Sequence, residues 1–391
     1  SAHREASKTR PAFREALAAR YDEARCLALI RRFERAFPPA YQAGVAAADA
    51  LADVEILEAL AQEPTGLKTG ICRSDLDEPA QLHLKLYRRG QPIPISDVLP
   101  IMENMGLKVI SEQPYELRLA ADQVAWIQDF MLEHRAGTAV AVDAVRTRLL
   151  DTFTNVWFGR AENDGFNRLV LAAGLDWRQT MVLRAYCRYI VQTGLPYSQA
   201  YIEQVLANNA KLGAILAQLF AAELDPGLDA RQRSGAVARL NKAFNAGIER
   251  VARLDEDRIL RAFRAAIGAT LRTNFYQKSA AGEAKPYFSF KLDPAKVLEL
   301  PLPRPMFEIF VYSPRVEGVH LRMGHVARGG IRWSDRREDF RTEVLGLMKA
   351  QNVKNTLIVP VGAKGGFVPK RLPAAGREEI QREVIACYQT F

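Results

Sequence analysis

The chain has 391 residues, of which 48% are hydrophobic and 25% charged, as expected for a soluble protein with several globular cores. No apolar run approaches the roughly eighteen residues that cross a bilayer, so we expect no membrane partner. The net charge of +9 comes from basic residues interleaved with acidic ones along helical stretches, which argues against a nucleic-acid partner. Four widely spaced cysteines without a CxxC motif predict reduced thiols, a cytoplasmic protein and no metal site.

The N-terminal quarter is predicted to be helical. Its first residues, SAHREASKTRPAF, contain no apolar signal core, and we expect them to be a cut point inside a longer protein. Apolar residues near helical spacing over 12–36 predict one helix that Pro38 and Pro39 end. Residues 40–63 predict one or two further helical pieces, and residues 64–70 predict a loop.

Residues 80–120 change character. The segment AQLHLKLYRR alternates apolar and polar side chains, which predicts a strand. Ser96 is a candidate N-cap for a helix that Gly106 ends, and LKVISEQPYELRL predicts one or two strands after it. This pattern indicates a small α+β module of the kind found in ligand-sensing domains, which by itself implies no activity.

The rest of the chain is predicted to be helical first and mixed later. Long amphipathic stretches from Val124 to about Tyr276 predict an almost entirely helical region, and residues 279–286 a linker. The later predicted elements are strands at 287–292, 306–312, 316–323 and 357–361 and helices at 335–351 and 378–388. The segment GAKGG is expected to form a loop after the last strand.

One segment, Ala327–Lys370, carries the candidate chemistry. From Arg328 to Lys370 it has nine Lys and Arg residues against four Asp and Glu residues, an excess suited to a small dianion. Glycines allow close approach of a ligand, and a ligand that covers Lys364 would remove its water. Desolvation lowers the pKa of a lysine towards neutrality and suits it to acid–base catalysis. The alternative is a tight turn with a surface lysine, whereas a P-loop is excluded because GxxxxGK[ST] is not present.

Taken together, RGGIRW … QNVKN … VPVGAKGG resembles the substrate-domain signature of glutamate dehydrogenases. Shorter members of that superfamily carry Lys-Gly-Gly-Ile-Arg-aromatic, then Gln-x-x-Lys, then Pro-x-Gly-Gly-Ala-Lys-Gly-Gly. The form found here is most similar to the large NAD-specific bacterial class, as is SDVLPIMENMGLKVISEQPYEL upstream. The resemblance covers residues 50–391 and is most specific over 316–370.

The resemblance implies roles for individual residues. Arg328 stands where the family has a lysine that holds the side-chain carboxylate of glutamate, next to Gly329 and Gly330. Arginine can bind a carboxylate bidentately, so an arginine is compatible with this role although its geometry differs from that of lysine. Lys364 matches the catalytic lysine, and the aspartate that assists it in the family would lie beyond Phe391.

A second cationic position is implied by the Gln-x-x-Lys element. Gln351 and Lys354 match the residues that hold the α-carboxylate. Lys354 lies about two residues nearer to Lys364 than in the family pattern, which leaves Lys349 as the alternative. Arg332 is either a structural salt-bridge partner or a further cation for the substrate.

The resemblance also implies an α+β multi-domain fold and an activity. The expected domains are a helical segment (1–63), an ACT-like module (64–122), a helical domain (123–278) and a truncated substrate-binding domain (286–391). The whole enzyme would be a homo-oligomer that uses NAD to deaminate L-glutamate to 2-oxoglutarate and ammonia. No GxGxxG or GxGxxA segment follows a strand, so NAD would bind a downstream domain and this fragment would be inactive. The alternatives are an amino-acid-sensing regulatory or assembly protein without catalysis and a basic nucleic-acid binder.

Overall fold

The computed structural model describes residues 2–63, 65–119, 123–354, 361–374 and 376–391, and their side chains except those of 2–10 and 352–354. The chain divides into two compact units, 1–157 and 158–391. Within the described residues no single helix is long and apolar enough to span a bilayer. One pair of helices, bent by 100° between Asn208 and Ala210, reaches that length and composition only when the two are taken together.

The first unit begins with helices and continues as a sheet with two further helices. Its elements are α1 (Ala2–Arg20), α2 (Glu23–Phe33), α3 (Pro39–Gly44), α4 (Ala47–Ala61), β1 (Leu67–Cys72), β2 (Gln81–Arg89), α5 (Ile95–Asn104), β3 (Leu107–Arg118), β4 (Val124–His134) and α6 (Val142–Trp157).

The prediction of a single helix over 12–36 is wrong, because the chain forms two helices, α1 and α2, there. The Asp22 carboxylate accepts a hydrogen bond from the Arg25 backbone N–H at 2.8 Å and caps α2, which separates it from α1. Pro39 does not end a helix but starts α3, at a position where its missing N–H is not needed. One or two helical pieces were predicted for 40–63, and the structure has two, α3 and α4.

The four strands form an antiparallel sheet in the order β1-β2-β4-β3. The strands predicted at β2 and β3 are confirmed, but β1 begins inside the predicted loop. The helix predicted from Val124 is wrong over 124–134, because β4 lies between β2 and β3 and bonds to both. Pairing with distant neighbours outweighs the mixed local signal of VAWIQDFMLEH.

The helix of the small module is close to its prediction. It begins at Ile95, so Ser96 lies inside it and does not cap it, and Pro94 precedes it without a side-chain cap. Gly106, at φ +83°, follows its last residues and confirms the predicted end. The face of the sheet that carries Lys85 packs against α4, where Lys85 donates to the buried carboxylate of Asp53 at 2.8 Å.

The second unit consists of a helical part and a mixed part. Its elements are α7 (Leu169–Ala172), α8 (Trp177–Gln192), α9 (Gln199–Asn208), α10 (Ala210–Leu224), α11 (Ala230–Ile248), α12 (Leu254–Gly268), β5 (Thr270–Thr273), β6 (Phe288–Leu292), β7 (Phe307–Tyr312), β8 (Val316–Arg322), β9 (Ala327–Arg328), β10 (Ile331–Trp333), α13 (Phe340–Lys354), β11 (Val361–Pro369) and α14 (Arg377–Thr390). The strands predicted at β6, β7 and β8 and the last helix are confirmed, whereas the predicted helical region ends at Gly268 and β5 follows.

These strands form one sheet in the order β10-β11-β8-β7-β6-β5, and β9 also pairs with β11. The neighbouring strands from β5 to β8 are antiparallel, and β11 is antiparallel to β8. On its other side, β11 is parallel to β9 and β10. One face of the sheet packs against α8 and α13. The Tyr186 ring of α8 stacks on Phe290 with centroids 4.5 Å apart, and Arg341 of α13 pairs with Glu308. On the other face, α14 brings Phe391 against Phe367.

The segment GAKGG differs from its prediction. The sequence placed it on a loop after a strand at 357–361, and residues 357–360 lie outside the described part of the chain. The structure places Gly362–Gly366 within β11, bonded to β8 on one side and to β9 and β10 on the other. The loop prediction was wrong because glycine-rich backbone can lie between strands whose close approach leaves no room for side chains.

Candidate functional site

The RGGIRW and GAKGG segments lie side by side as parallel strands. Arg328 is in register with Gly362, and Arg332 with Gly366. The offset is the same at both ends, so Gly329 lies beside Ala363 and Gly330 beside Lys364. The Gly365 backbone N–H donates to the Gly330 carbonyl oxygen at 3.1 Å, which fixes this register in the middle. The two motifs, separated by a helix in the sequence, therefore form a single structural unit.

Side chains on these strands alternate between the two faces of the sheet, so Arg328, Arg332 and Lys364 share one face. It is the face that α13 covers. A Cβ added to Gly366 would lie 2.5 Å from the Val344 side chain, and one added to Gly362 would lie 3.6 Å from that of Gln351. All three cationic side chains therefore start from the surface beneath or beside α13.

Lys364 is surrounded by positions without side chains. Gly362 and Gly366 flank it on its own face of β11, and Gly330 lies across from it. A Cβ built on Gly330 would meet no atom within 4 Å. We call the space beside Lys364 that these three glycines bound the glycine hollow. The hollow is open over Gly330, whereas side chains of α13 lie over Gly362 and Gly366, and Lys364 itself is half-buried.

The two glycines of the RGG motif have different roles. A Cβ on Gly329 would overlap the carbonyl oxygen of Ala363, so glycine is needed there for the strands to approach. Gly330 meets no such restriction, and the absence of its side chain only leaves space open. Gly329 thus holds the strands together, and Gly330 keeps the hollow accessible.

Gln351 connects the helix to the motif. Its side-chain Nε2 donates to the Arg328 carbonyl oxygen at 3.2 Å. Its Oε1 is buried and has no hydrogen-bond partner among the described residues, which leaves an acceptor near Arg328. The predicted site residue Gln351 is thus brought to the hollow, together with Arg328, Gly329, Gly330 and Lys364.

For Lys354, the second predicted cation, the structure describes the backbone but not the side chain. Helix α13 continues to Lys354, one turn beyond Gln351, but the side chain of Lys354 lies outside the described residues. Lys349 is exposed and lies two positions from Gln351, about 200° around the helix axis. It therefore faces away from the side of α13 that contacts β9.

The charges near the hollow are only partly compensated. Arg332 pairs with Glu343 of α13 at 3.3 Å, and Arg336 pairs with Asp339 outside the hollow. Among the described residues, no carboxylate pairs with Arg328 or Lys364. On the opposite face, burial and the nearby Arg322 lower the pKa of His320. The positive charge is thus concentrated on the face of the sheet where the hollow opens.

Sequence reasoning missed Glu343. It accepts a hydrogen bond from the buried Ser334 hydroxyl at 2.5 Å in addition to its contact with Arg332. The spacing of Glu343, Leu347 and Gln351, four residues apart on one helix, could have indicated a stripe facing the motif. No group of three or more His, Cys, Asp or Glu side chains that could hold a metal ion occurs in the part of the chain that the structure describes.

The comparisons with known proteins assign this architecture. Residues 243–391 match the catalytic domain of bacterial NAD-glutamate dehydrogenases. Three glutamate dehydrogenase regions match upstream: helical motif 3 over 161–226, the ACT3 domain over 67–145 and helical motif 2 over 16–60. The chain therefore combines an ACT module and helical motifs with a match to a dehydrogenase catalytic domain, and the predicted α+β fold class is confirmed.

Relatives are similar along almost the whole chain. NAD-specific glutamate dehydrogenases of Halomonas elongata, Pseudomonas aeruginosa and Mycobacterium tuberculosis are 48%, 48% and 43% identical to it. The matches cover 93%, 94% and 92% of this chain but 22%, 23% and 23% of the relatives. The chain therefore spans less than a quarter of their length. It belongs to the family of large bacterial NAD-specific glutamate dehydrogenases, and the predicted resemblance is confirmed.

Proposed function

We propose that the full-length protein catalyses the NAD-dependent oxidative deamination of L-glutamate to 2-oxoglutarate and ammonia. This chain would supply the groups that hold the substrate and transfer protons. The observation that carries the proposal is the register of β9 and β10 on β11, which puts Lys364 in the glycine hollow on the same face as Arg328. The names of the relatives support the reaction and the cofactor.

The substrate carries two carboxylates, and a pocket that orients it needs at least two fixed cations. Arg328 is exposed and free of a described carboxylate partner, so its guanidinium is available to bind the side-chain carboxylate bidentately. Lys354, one turn after Gln351, would hold the α-carboxylate. The Oε1 of Gln351, which has no partner among the described residues, would accept a hydrogen bond from the substrate ammonium.

Lys364 would move the protons. Oxidation at the α-carbon gives an iminium, to which water adds before ammonia leaves, and a positioned base and acid is needed for these steps. A substrate lying in the glycine hollow would cover the lysine and exclude water from it, which favours the neutral amine. NAD accepts the hydride in the overall reaction. The residues of this chain do not include a dinucleotide fingerprint, and none is assigned to NAD.

We also propose that the enzyme is cytoplasmic and assembles as a homo-oligomer. Its four cysteines are free thiols, which is in keeping with a reducing compartment. The oligomer would place several active sites in one assembly, and its size can be measured by light scattering of the full-length enzyme.

The decisive test is the replacement of Lys364 in the full-length enzyme. Lys364→Ala should lower the turnover number by about 10²–10⁴-fold, the usual contribution of a general acid–base group. Lys364→Arg should fail as well, because arginine does not release its proton in a protein. Turnover is measured from about pH 6 to 10, with circular dichroism to verify folding. Lys211→Ala, which removes an exposed lysine of α10, is the control.

Retention of turnover within about tenfold of the parent by either Lys364 variant would contradict the catalytic assignment. Lys364 would then be a charge anchor or a strand residue without proton transfer. An intact parent that does not oxidise glutamate with NAD would contradict the proposed reaction itself.

A further inference from the structure

Arg332 and Glu343 form an ion pair at the other end of the motif from Arg328. Arg332 Nη1 lies 3.3 Å from Glu343 Oε1, and their side chains are 54% and 13% exposed. Arg332 lies on the same face as Lys364, beside Gly366, and is separated from Arg328 by about 13 Å of strand with the glycine hollow between them. A cation and its partner thus border the proposed substrate position.

This pair differs from the ion pairs that stabilise the fold. Buried Arg341 reaches both oxygens of Glu308 with two nitrogens, and Lys370 contacts both Glu162 and Glu317. Arg332 instead makes a single long contact and leaves most of its five N–H donors without a partner among the described residues. Because Arg332 is half-exposed and makes only this contact, water screens its charge, and another carboxylate can replace its anion.

Glu343 does not depend on Arg332 to be satisfied. Its Oε2 accepts the Ser334 hydroxyl at 2.5 Å, and Ser334 Oγ in turn accepts the Arg336 backbone N–H at 3.1 Å. The carboxylate is therefore held in place from its other side when Arg332 turns away. The carboxylate therefore keeps one hydrogen-bond donor when the arginine exchanges partners.

We propose that Glu343 is a resident counter-anion of Arg332 and that a carboxylate of the substrate displaces it. Arg332 is then a further substrate-binding cation, and Glu343 is a positioning residue that competes with the substrate for it. This inference rests on the proposed function for the identity of the substrate. It makes Glu343 a determinant of substrate affinity: the enzyme binds its dicarboxylate more weakly with this glutamate than without it.

The test compares single and double variants of the full-length holoenzyme with L-glutamate and NAD. Arg332→Gln should raise the KM for glutamate by about tenfold, as expected when a charge-assisted contact is lost. Glu343→Gln, which keeps the acceptor for Ser334, should lower the KM by about two- to fivefold, the strength of an exposed ion pair. In the double variant the second change should have no effect beyond Arg332→Gln, because the residue for which Glu343 competes is absent.

The neighbouring exposed pair supplies matched controls. Arg336→Gln and Asp339→Asn remove the same charges from an ion pair a few residues away that does not border the hollow, and both should leave the KM within about twofold of the parent. Circular dichroism and the melting temperature show that each variant is folded. Opposite signs for Arg332→Gln and Glu343→Gln are the essential readout, since a merely structural pair would give losses of the same sign.

Three results would overturn the inference: an unchanged KM in Arg332→Gln, a raised KM in Glu343→Gln, or additive effects in the double variant. A parent enzyme without glutamate oxidation would overturn the proposed function instead. In that event calorimetric titration of the same variants with 2-oxoglutarate decides the inference separately, and an affinity that Arg332→Gln leaves unchanged would refute it.

Discussion

On one face of the second sheet, the cations near α8 and the cations at the edge strands β9 and β10 differ in their burial and in their pairing. Lys370, just after β11, is 3% exposed, and its ammonium contacts Glu162 at 2.7 Å and Glu317 at 2.8 Å. Lys364 starts from the same face six residues earlier, is half-buried, and pairs with no carboxylate among the described residues. Near α8 the cations are buried and each has a carboxylate partner, whereas at the edge formed by β9 and β10 Arg328 and Arg332 are exposed and have donors without a partner among the described residues.

The difference separates charges that hold the fold from charges available to a ligand. A buried ion without a partner costs several kcal/mol, so the buried arginines and lysines of this face have carboxylates as close partners. At the edge strands the cations keep water around them, and the structure tolerates incomplete pairing there. The donors without a described partner beside the glycine hollow are the groups to which the proposed function assigns the substrate carboxylates.

The largest effect is expected when a buried ion pair near α8 is broken. Arg341 and Glu308 are 1% and 0% exposed, so Arg341→Met would leave a buried carboxylate with only the Tyr189 hydroxyl at 2.9 Å. We expect the free energy of unfolding of residues 158–391 to fall by about 3–5 kcal/mol. Adding Glu308→Leu should restore much of this loss. The measurement is urea unfolding of parent and variants, with hydrogen exchange of the backbone amides in β7 and α8 as the probe.

Arg336→Met is the matched control, since it breaks an exposed pair and should cost less than about 1 kcal/mol. Equal losses in Arg341→Met and Arg336→Met would mean that burial does not distinguish the two kinds of pair. The contrast between the two regions would then have no energetic basis.

A second prediction concerns the hollow. Gly330→Ala adds a methyl group where no atom lies within 4 Å, so the fold should keep its stability. The methyl would occupy the space beside Lys364, and we expect kcat/KM for glutamate in the full-length enzyme to fall by about a hundredfold, as misplacement at a reacting centre does. Gly346→Ala, an equally open position on α13, should leave kcat/KM unchanged and should not lower the stability, because alanine favours a helix.

Gly329→Ala should behave in the opposite way. Its methyl group would overlap the Ala363 carbonyl oxygen, so the strands must separate and the melting temperature should drop. A Gly330→Ala enzyme with parental kcat/KM would show that substrate does not enter the hollow.

The smallest expected effect is a pH dependence of the paired region. Burial would raise the pKa of Glu162, but Lys370 and Arg184 outweigh it and hold the pKa below its ordinary 4.5. A lowered folded-state pKa contributes stability that is present above about pH 4.5 and is lost as pH falls through the folded value. Glu162→Gln should therefore cost about 1–2 kcal/mol at neutral pH and less in acid. Parallel urea curves of parent and variant at pH 7 and near pH 3 measure this, and an equal difference at both pH values would refute it.

Local signals were sufficient for part of this protein. The alternation in QLHLKLYRR predicted β2, because a strand with one face against a core alternates wherever it lies. Gly106 marked the end of α5 because a positive φ suits glycine at a helix terminus. The RGGIRW and GAKGG motifs identified the family, because the resemblance to glutamate dehydrogenases rests on them, and they singled out Arg328 and Lys364 as candidate site residues.

The sequence by itself determined which residues are candidates for the chemistry, and the tertiary structure decided how they meet. The sequence predicted GAKGG as a loop and Val124–His134 as helix, yet both are interior strands whose hydrogen bonds come from segments far along the chain. Strand register depends on such partners, and only the register shows that Arg328, Arg332 and Lys364 share a face. The role proposed for Glu343 cannot be predicted from the local sequence, because an acid in the first turn of a helix is common. Its contacts with Ser334 and Arg332 arise only when α13 packs onto the sheet.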